Sequence, residues 1–305
     1  MNIQSDVKMQ TSQSQLAKAD PASPVLLIDA AGGIAVKSAT TFNGRKFLSD
    51  TPVEMPAGGL IPGTDYAVLA GENLAVVLAH SLDDINDPLI IGGFHFAPGG
   101  NASARKGGDE TPSINPCSLW DQNFRPACPD PRGMALIEGA HGHRFWCDIY
   151  LLGVDHTSDG TSRIGVTIAD GSDCPKDSAT GKKLKRFEYQ HAVDVMTHHG
   201  KQLLSFEEFA HAAYGVTEKS AHKGDPETTK LDAARTSKFG IMQATGNMWV
   251  WGHDGDPDTP RASVFGGSWW NDDYAGSRYA NVDLWAGHSN EYIGARGRSD
   301  HLQLG

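Results

Sequence analysis

The sequence predicts an α+β protein in two parts, a small all-β module over residues 24–97 and a larger mixed domain over residues 117–305. Three observations carry this. Short β-branched and aromatic runs, broken by Gly, Pro and Asn, fill the first part. Stretches with helical period appear only after residue 186. The 35 glycines demand many turns, hence short strands and long loops.

The elements follow in order. MNIQSDVKMQTSQSQLAKADP is polar and rich in Gln and Ser, and reads as a disordered lead-in over 1–23. It has no apolar core of a secretory signal, so the product is expected to be made in the cytoplasm and to reach any outside role by assembly into a larger particle. PVLLIDA, GIAVKSATTF, DYAVLAG, LAVVLAH and DPLIIGGFHF are the strands of the β module. Residues 98–116, rich in Gly, Ser and Pro, read as a linker. HRFWCDIYLLG (143–153) alternates as a strand, and SRIGVTIADG (162–171) reads as a second. FEYQHAVDVMTHHG sets Tyr189, Ala192, Val193 and Met196 on one helical face, with Gly200 as the stop. SFEEFAHAAYG opens with Ser205 three residues before Glu208, a capping box, buries Phe206, Phe209, Ala210 and Ala213, and ends at Gly215. Residues 216–240 read as an exposed polar excursion. Five of the seven tryptophans then crowd between Trp249 and Trp285.

Composition narrows the function. Hydrophobic content of 39% and charged content of 21% fit a soluble globular chain, and no run is long and apolar enough to cross a bilayer. A net charge of −11 argues against a general nucleic-acid binder. Cys117, Cys128, Cys147 and Cys174 hold no Cys-x-x-Cys pair, so they are read as reduced and buried rather than as a zinc ribbon or a Cys117–Cys128 disulfide. His141-Gly142-His143 and His198-His199 lack an evident third ligand. A zinc or iron site at those histidines is therefore the lesser reading. The acidic run from His253 to Asp258 resembles the start of a calcium loop but lacks its glycine and distal Glu; no cofactor is expected, with calcium there as the alternative to a solvated acidic turn. No nucleophile elbow or phosphate-binding loop is present.

In order, strand FWCDIYLLG, helix QHAVDVMTHHG, GKQLLSFEEFAHAAYG, Gly246-Asn247-Met248-Trp249-Val250-Trp251, Gly266-Gly267-Ser268-Trp269 and Gly294-Ala295-Arg296 resemble the formylglycine-generating-enzyme branch of the C-type lectin fold. The resemblance covers residues 117–305 and implies that fold here. Enzymes of that branch bind copper through a cysteine pair near the C-terminus, whereas this chain has no cysteine after Cys174, so that chemistry is not expected.

A second resemblance covers 265–296. The mixture of Trp, Tyr, Asp, Asn, His and Glu between GGSW and IGAR is similar to the variable region of proteins diversified by retroelements, such as phage tropism determinants. It implies a non-catalytic ligand- or receptor-binding protein, a protein or glycan partner on a cell surface, a place on a phage or prophage tail, and a homotrimer. Aromatic residues with Asn, Ser, Asp and His also make the composition of a paratope. The expected contact set is Trp270, Asn271, Asp273, Tyr274, Tyr279, Asp283, Leu284, Trp285, His288, Asn290, Glu291 and Tyr292. Trp269, Ala275, Gly276, Ser277, Arg278, Gly294 and Arg296 are expected to be scaffold, with Trp269 buried by the motif and Trp270 turned outward by strand alternation. The rival readings are a metal-dependent oxidase on an altered scaffold and a purely structural virion protein.

Overall fold

The computed structural model describes residues 16–82 and 84–303. Its N-terminal half is built from two small sheets and one larger one. Leu26–Ile28, Ile34–Val36 and Thr51–Pro52 form one small sheet, and Leu16–Ala17, Thr40–Phe42 and Arg45–Phe47 the other. The larger sheet centres on Ile90–Ala97, flanked by Thr64–Ala70 and Leu74–Leu78 on one side and by Ser113–Ile114 and Trp120–Asp121 on the other. Val25, Leu26, Val36, Phe42, Tyr66, Val68, Ile91 and Phe94 form the core between them.

Two boundaries differ from the sequence expectation. Residues 1–15 of the expected lead-in lie outside the described residues, but residues 16–23 belong to the fold. Leu16 and Ala17 pair with Phe42 and Thr41, and the Lys18 ammonium meets the buried Asp121 carboxylate at 2.8 Å. Nor is 98–116 a free linker. Ala102 donates its amide to the Ser237 carbonyl at 3.0 Å, and the buried Asn115 side chain donates to the Phe239 carbonyl at 3.0 Å. The small residues that suggested flexibility permit close approach instead: a Cβ on Gly99 would stand 2.2 Å from the Asp109 carbonyl oxygen and 2.8 Å from Leu231.

The C-terminal half is organised by an eight-stranded sheet. Its order is Met134–Glu138, Arg144–Asp148, Gly297–Asp300, Gln202–Ser205, Trp249–His253, Ala262–Phe265 and Ala280–Asn281, with Ile293–Ala295 also paired in parallel to Trp249–His253. The central residues Phe145, Trp146, Cys147 and Asp148 are buried on both faces, where alternation had suggested a partly open one. The 162–171 run is not a strand; it makes only isolated bridges, Gly153 with Ile168 and Thr167 with Thr228. The 216–240 run is not an exposed excursion either. Thr229, Thr236 and Ser237 are fully buried because the segment threads between 98–116 and 163–168, trading polar contacts with both.

Both expected helices form. Tyr189–His198 buries Ala192, Val195 and Met196, with Val195 in the place expected for Val193, and Gly200 follows at φ +67°. Phe206–Ala212 carries the expected capping box: Ser205 Oγ accepts from the Glu208 amide at 3.2 Å, and Glu208 Oε2 accepts from the Ser205 amide at 2.9 Å. The helix buries Phe209 and Ala212, with Ala213 buried at its C-cap, while Phe206 and Ala210 are half-buried. Including the single turn His156–Asp159, the described residues hold few helices, and the balance of the α+β class lies far toward β.

Candidate functional site

The segment from Phe265 to Arg296 is pinned at both ends. Gly266 and Gly267 have φ of +94° and +74°, and the Gly246 amide donates to both of their carbonyls at 3.1 and 3.0 Å. The Gly266 carbonyl also accepts from the Gly276 amide at 2.9 Å, and the Gly266 amide donates to the Tyr279 carbonyl at 2.8 Å. A Cβ on Gly267 would sit 2.7 Å from the Tyr274 carbonyl oxygen, so a side chain there would force the loop open. The chain thus leaves and returns at one point, and residues 268–275 form a closed loop. At the far end, the fully buried Arg296 guanidinium donates to the carbonyls of Asp148, Ile149 and Met242, each at 2.7 Å. Those bonds tie two distant segments, the end of the Arg144–Asp148 strand and the turn at Met242, to one fixed, planar donor set.

A third anchor was not visible in the sequence. Glu218 accepts from the Ser277 amide at 3.1 Å and from its hydroxyl at 2.5 Å, and pairs with Arg105, which donates to Ser277 Oγ at 3.0 Å and lies over the Tyr214 ring. Glu218 belongs to the expected polar excursion and Arg105 to the expected linker. Long-range polar contacts of this kind leave no periodic trace in a sequence.

Between the anchors the expected contact residues divide. Trp270, Asp273, Tyr274, Asp283, Trp285 and Glu291 are exposed, with the rings of Trp270, Tyr274 and Trp285 retaining 62%, 68% and 68% of their surface. The rest are half-buried, each for a visible reason. Asn271 Oδ1 accepts from the Ser268 amide and hydroxyl at 2.9 and 2.8 Å, which makes it a brace of the loop. Tyr279 donates its hydroxyl to the Asp273 carbonyl at 3.1 Å and stands edge-on to Tyr274. Leu284 and Tyr292 pack on the core beside Trp251 and Ile293. His288 stands edge-on to Trp285, and Asn290 donates to the Tyr292 hydroxyl at 2.9 Å.

The neighbours Trp269 and Trp270 part as expected, though less sharply. Trp269 is half-buried on Leu151, Ile168, Met248 and Val250, and Trp270 stacks on its outer face at 4.6 Å between centroids. Among the scaffold residues Ala275, Gly276, Ser277, Gly294 and Arg296 are buried, but Arg278 is exposed. Val282, 46% exposed, joins the surface and was missed, being a lone apolar residue among polar ones.

The described cysteines are all free thiols; burial pushes Cys147 up to about 12 and Cys117 up to about 11, far from a reactive thiolate. Among the described residues no group of three His, Cys, Asp or Glu side chains is placed to share a metal ion. In the acidic run, Asp254 Oδ1 accepts from the amides of Asp256 and Arg261, and Asp256 Oδ1 from those of Asp258 and Thr259, so both carboxylates cap their own turn. Asp170, beside the Asn290 backbone, is raised to about 6 by burial, against the amides of Asp173 and Ser172 that lower it.

Comparison with known proteins agrees with this picture. The family model described as the Mtd second domain matches residues 25–121, across both the β module and the segment that packs beside it. The tail fiber receptor-binding protein of Bordetella phage BPP-1 is 38% identical over 318 residues, covering 90% of this chain and 81% of that protein. Among solved structures, the Major Tropism Determinant U1 Variant superposes with a TM-score of 0.85 at 37% identity, over 95% of this chain and 86% of that one. The I1 variant gives the same TM-score and identity over 96% and 87%. The C-type lectin-like fold expected from the ordered motifs is the fold shared with these structures. With three anchors and an exposed aromatic segment built on that shared frame, the chain belongs to the major tropism determinant family of phage tail-fiber proteins.

Proposed function

We propose that this chain is a non-catalytic receptor-binding protein of a phage tail, which reads a protein or glycan on a bacterial surface with residues 270–292. One observation carries the reading: large aromatic rings stand exposed on a segment of irregular backbone that is nonetheless hydrogen-bonded at both ends. Rigid presentation of Trp and Tyr lowers the entropy cost of contact, which is how paratopes gain affinity.

Several finer points belong to the same proposal. Selected positions within 270–292 are rewritten by a retroelement, while Gly267, Ser277 and Arg296 stay constant because the loop closes on them. The domain at 117–305 takes the formylglycine-generating-enzyme form of the lectin fold, and the β module at 24–97 mounts it on the particle as a homotrimer. No metal is expected to take part in contact; Asp254 Oδ1 and Asp256 Oδ1 instead cap the turn of the acidic run by accepting backbone amides.

Sequencing this gene across a phage population tests the proposal. Amino-acid changes concentrated at Trp270, Asp273, Tyr274, Asp283, Trp285 and Glu291 support it. A segment invariant across isolates with different hosts would favour a purely structural virion role.

A further inference from the structure

We infer that the hairpin at 174–186 is a second contact element, constant in sequence, that engages phosphorylated saccharide of the bacterial envelope beside the aromatic segment. The inference deepens the receptor-binding reading and rests on it.

The hairpin is well formed. Lys176 and Lys183 bridge, the Asp177 amide donates to the Lys182 carbonyl at 2.8 Å, and the Leu184 amide donates to the Pro175 carbonyl at 2.9 Å. Cys174 buries its base, and Thr157 Oγ1 holds the Lys176 carbonyl at 2.7 Å. Its exit runs along the aromatic segment. Arg186 donates to the Gly287 carbonyl at 2.5 Å, the Phe187 amide to Ser289 Oγ at 2.9 Å, and the Tyr189 amide to the Ala286 carbonyl at 3.1 Å. The hairpin is therefore positioned by the same turn that presents Trp285.

Its charge is out of keeping with the chain. Residues 176–186 carry five basic side chains, Lys176, Lys182, Lys183, Lys185 and Arg186, against one acid, Asp177, in a protein of net charge −11. All five are exposed. Among the described residues Lys183 has only a loose partner, Asp173 at 3.9 Å, Arg186 pairs with Glu188 at 2.7 Å, and Lys176, Lys182 and Lys185 form no ion pair. Unpaired lysines in a hairpin with fixed backbone are an electrostatic footprint for an anion, and lysine serves phosphate as a mobile point charge. The adjacent exposed indole of Trp285 offers the flat apolar face that a sugar ring covers. The acidic remainder of the molecule repels the same anion and so restricts contact to this edge.

The test uses the full chain and three vesicle types: phosphatidylcholine carrying lipopolysaccharide, phosphatidylcholine carrying phosphatidylglycerol at matched surface charge, and phosphatidylcholine alone. The inference expects binding to the first that weakens as salt rises to about 0.5 M. It expects a loss on the order of a hundredfold in the Lys182→Gln/Lys183→Gln/Lys185→Gln variant, with unchanged Tm. Equal binding of the variant, no binding to the first vesicles at low salt, or equal binding to phosphatidylglycerol would each overturn it. The receptor-binding reading is judged separately, by attachment of the wild-type chain and a Tyr274→Ala/Trp285→Ala variant to bacterial cells, so that the two can fail independently.

Discussion

Replacing Glu218 by Ala should loosen the 268–279 loop without unfolding the domain. The buried Ser277 amide would lose its acceptor, an orphaned group that costs about 1–3 kcal/mol. The Ser277 hydroxyl would lose a bond to a carboxylate but keep Arg105 as a donor, and the part-exposed ion pair with Arg105 adds no more than about 1 kcal/mol. Together these give roughly 2–4 kcal/mol, confined to the return of the loop. Amide hydrogen exchange reads this locally. Protection at Gly276, Ser277 and Tyr279 should fall by roughly thirtyfold to several hundredfold, taking tenfold as about 1.4 kcal/mol. The amides of 293–297, held by Arg296 and the sheet, should exchange as before. Unchanged exchange at 276–279 would refute the claim that Glu218 holds the contact loop, and equal loss of protection everywhere would make Glu218 a global stability residue instead.

Three further outcomes follow from named contacts. Lys201→Met strands the buried Asp148 carboxylate, which now accepts from Lys201 Nζ at 2.7 Å, and should cost roughly 3–5 kcal/mol, seen as a Tm lowered by on the order of 10 °C. Asp170 has a folded-state pKa raised to about 6 from 3.8, so the fold favours its neutral form; that contribution is fully present below 3.8 and is lost as pH rises through about 6. Asp170→Asn should therefore raise stability at neutral pH by at most about 2 kcal/mol, discounted for solvent near the turn, and by nothing at about pH 3, as chemical denaturation at the two pH values would measure. A chelator should leave the Tm unchanged, because the Asp254 and Asp256 carboxylates are satisfied by their own turn; a calcium-dependent rise of about 2–3 kcal/mol in unfolding free energy would instead reveal an occupied site.

What the sequence disclosed was local or ordered. The capping box at Ser205 and Glu208, the stop at Gly200 and the turns at Gly266 and Gly267 rest on short-range chemistry, and all appear where the residues placed them. Trp270 is exposed as expected, but from a turn in which its ring stacks on Trp269, not by strand alternation. What it concealed was tertiary. Polar residues in 98–116 and 216–240 read as solvated because their partners lie far away in sequence, yet Asn115, Thr229 and Ser237 are buried with those partners in place. Asn271 looked like a contact residue by type, but its side chain is spent on Ser268. Residue type alone does not separate a polar brace from a polar contact; only the geometry of the loop does.

The most direct measurement of the central claim is attachment of the purified chain to a panel of bacterial surfaces, wild type against Tyr274→Ala/Trp285→Ala. Both rings stand 68% exposed, so their loss leaves the fold intact and removes two aromatic anchors, each worth about 2 kcal/mol or more at an interface. The account predicts an unchanged Tm and an affinity for the attaching strain lowered by roughly a thousandfold. Undiminished attachment by the double variant would contradict it.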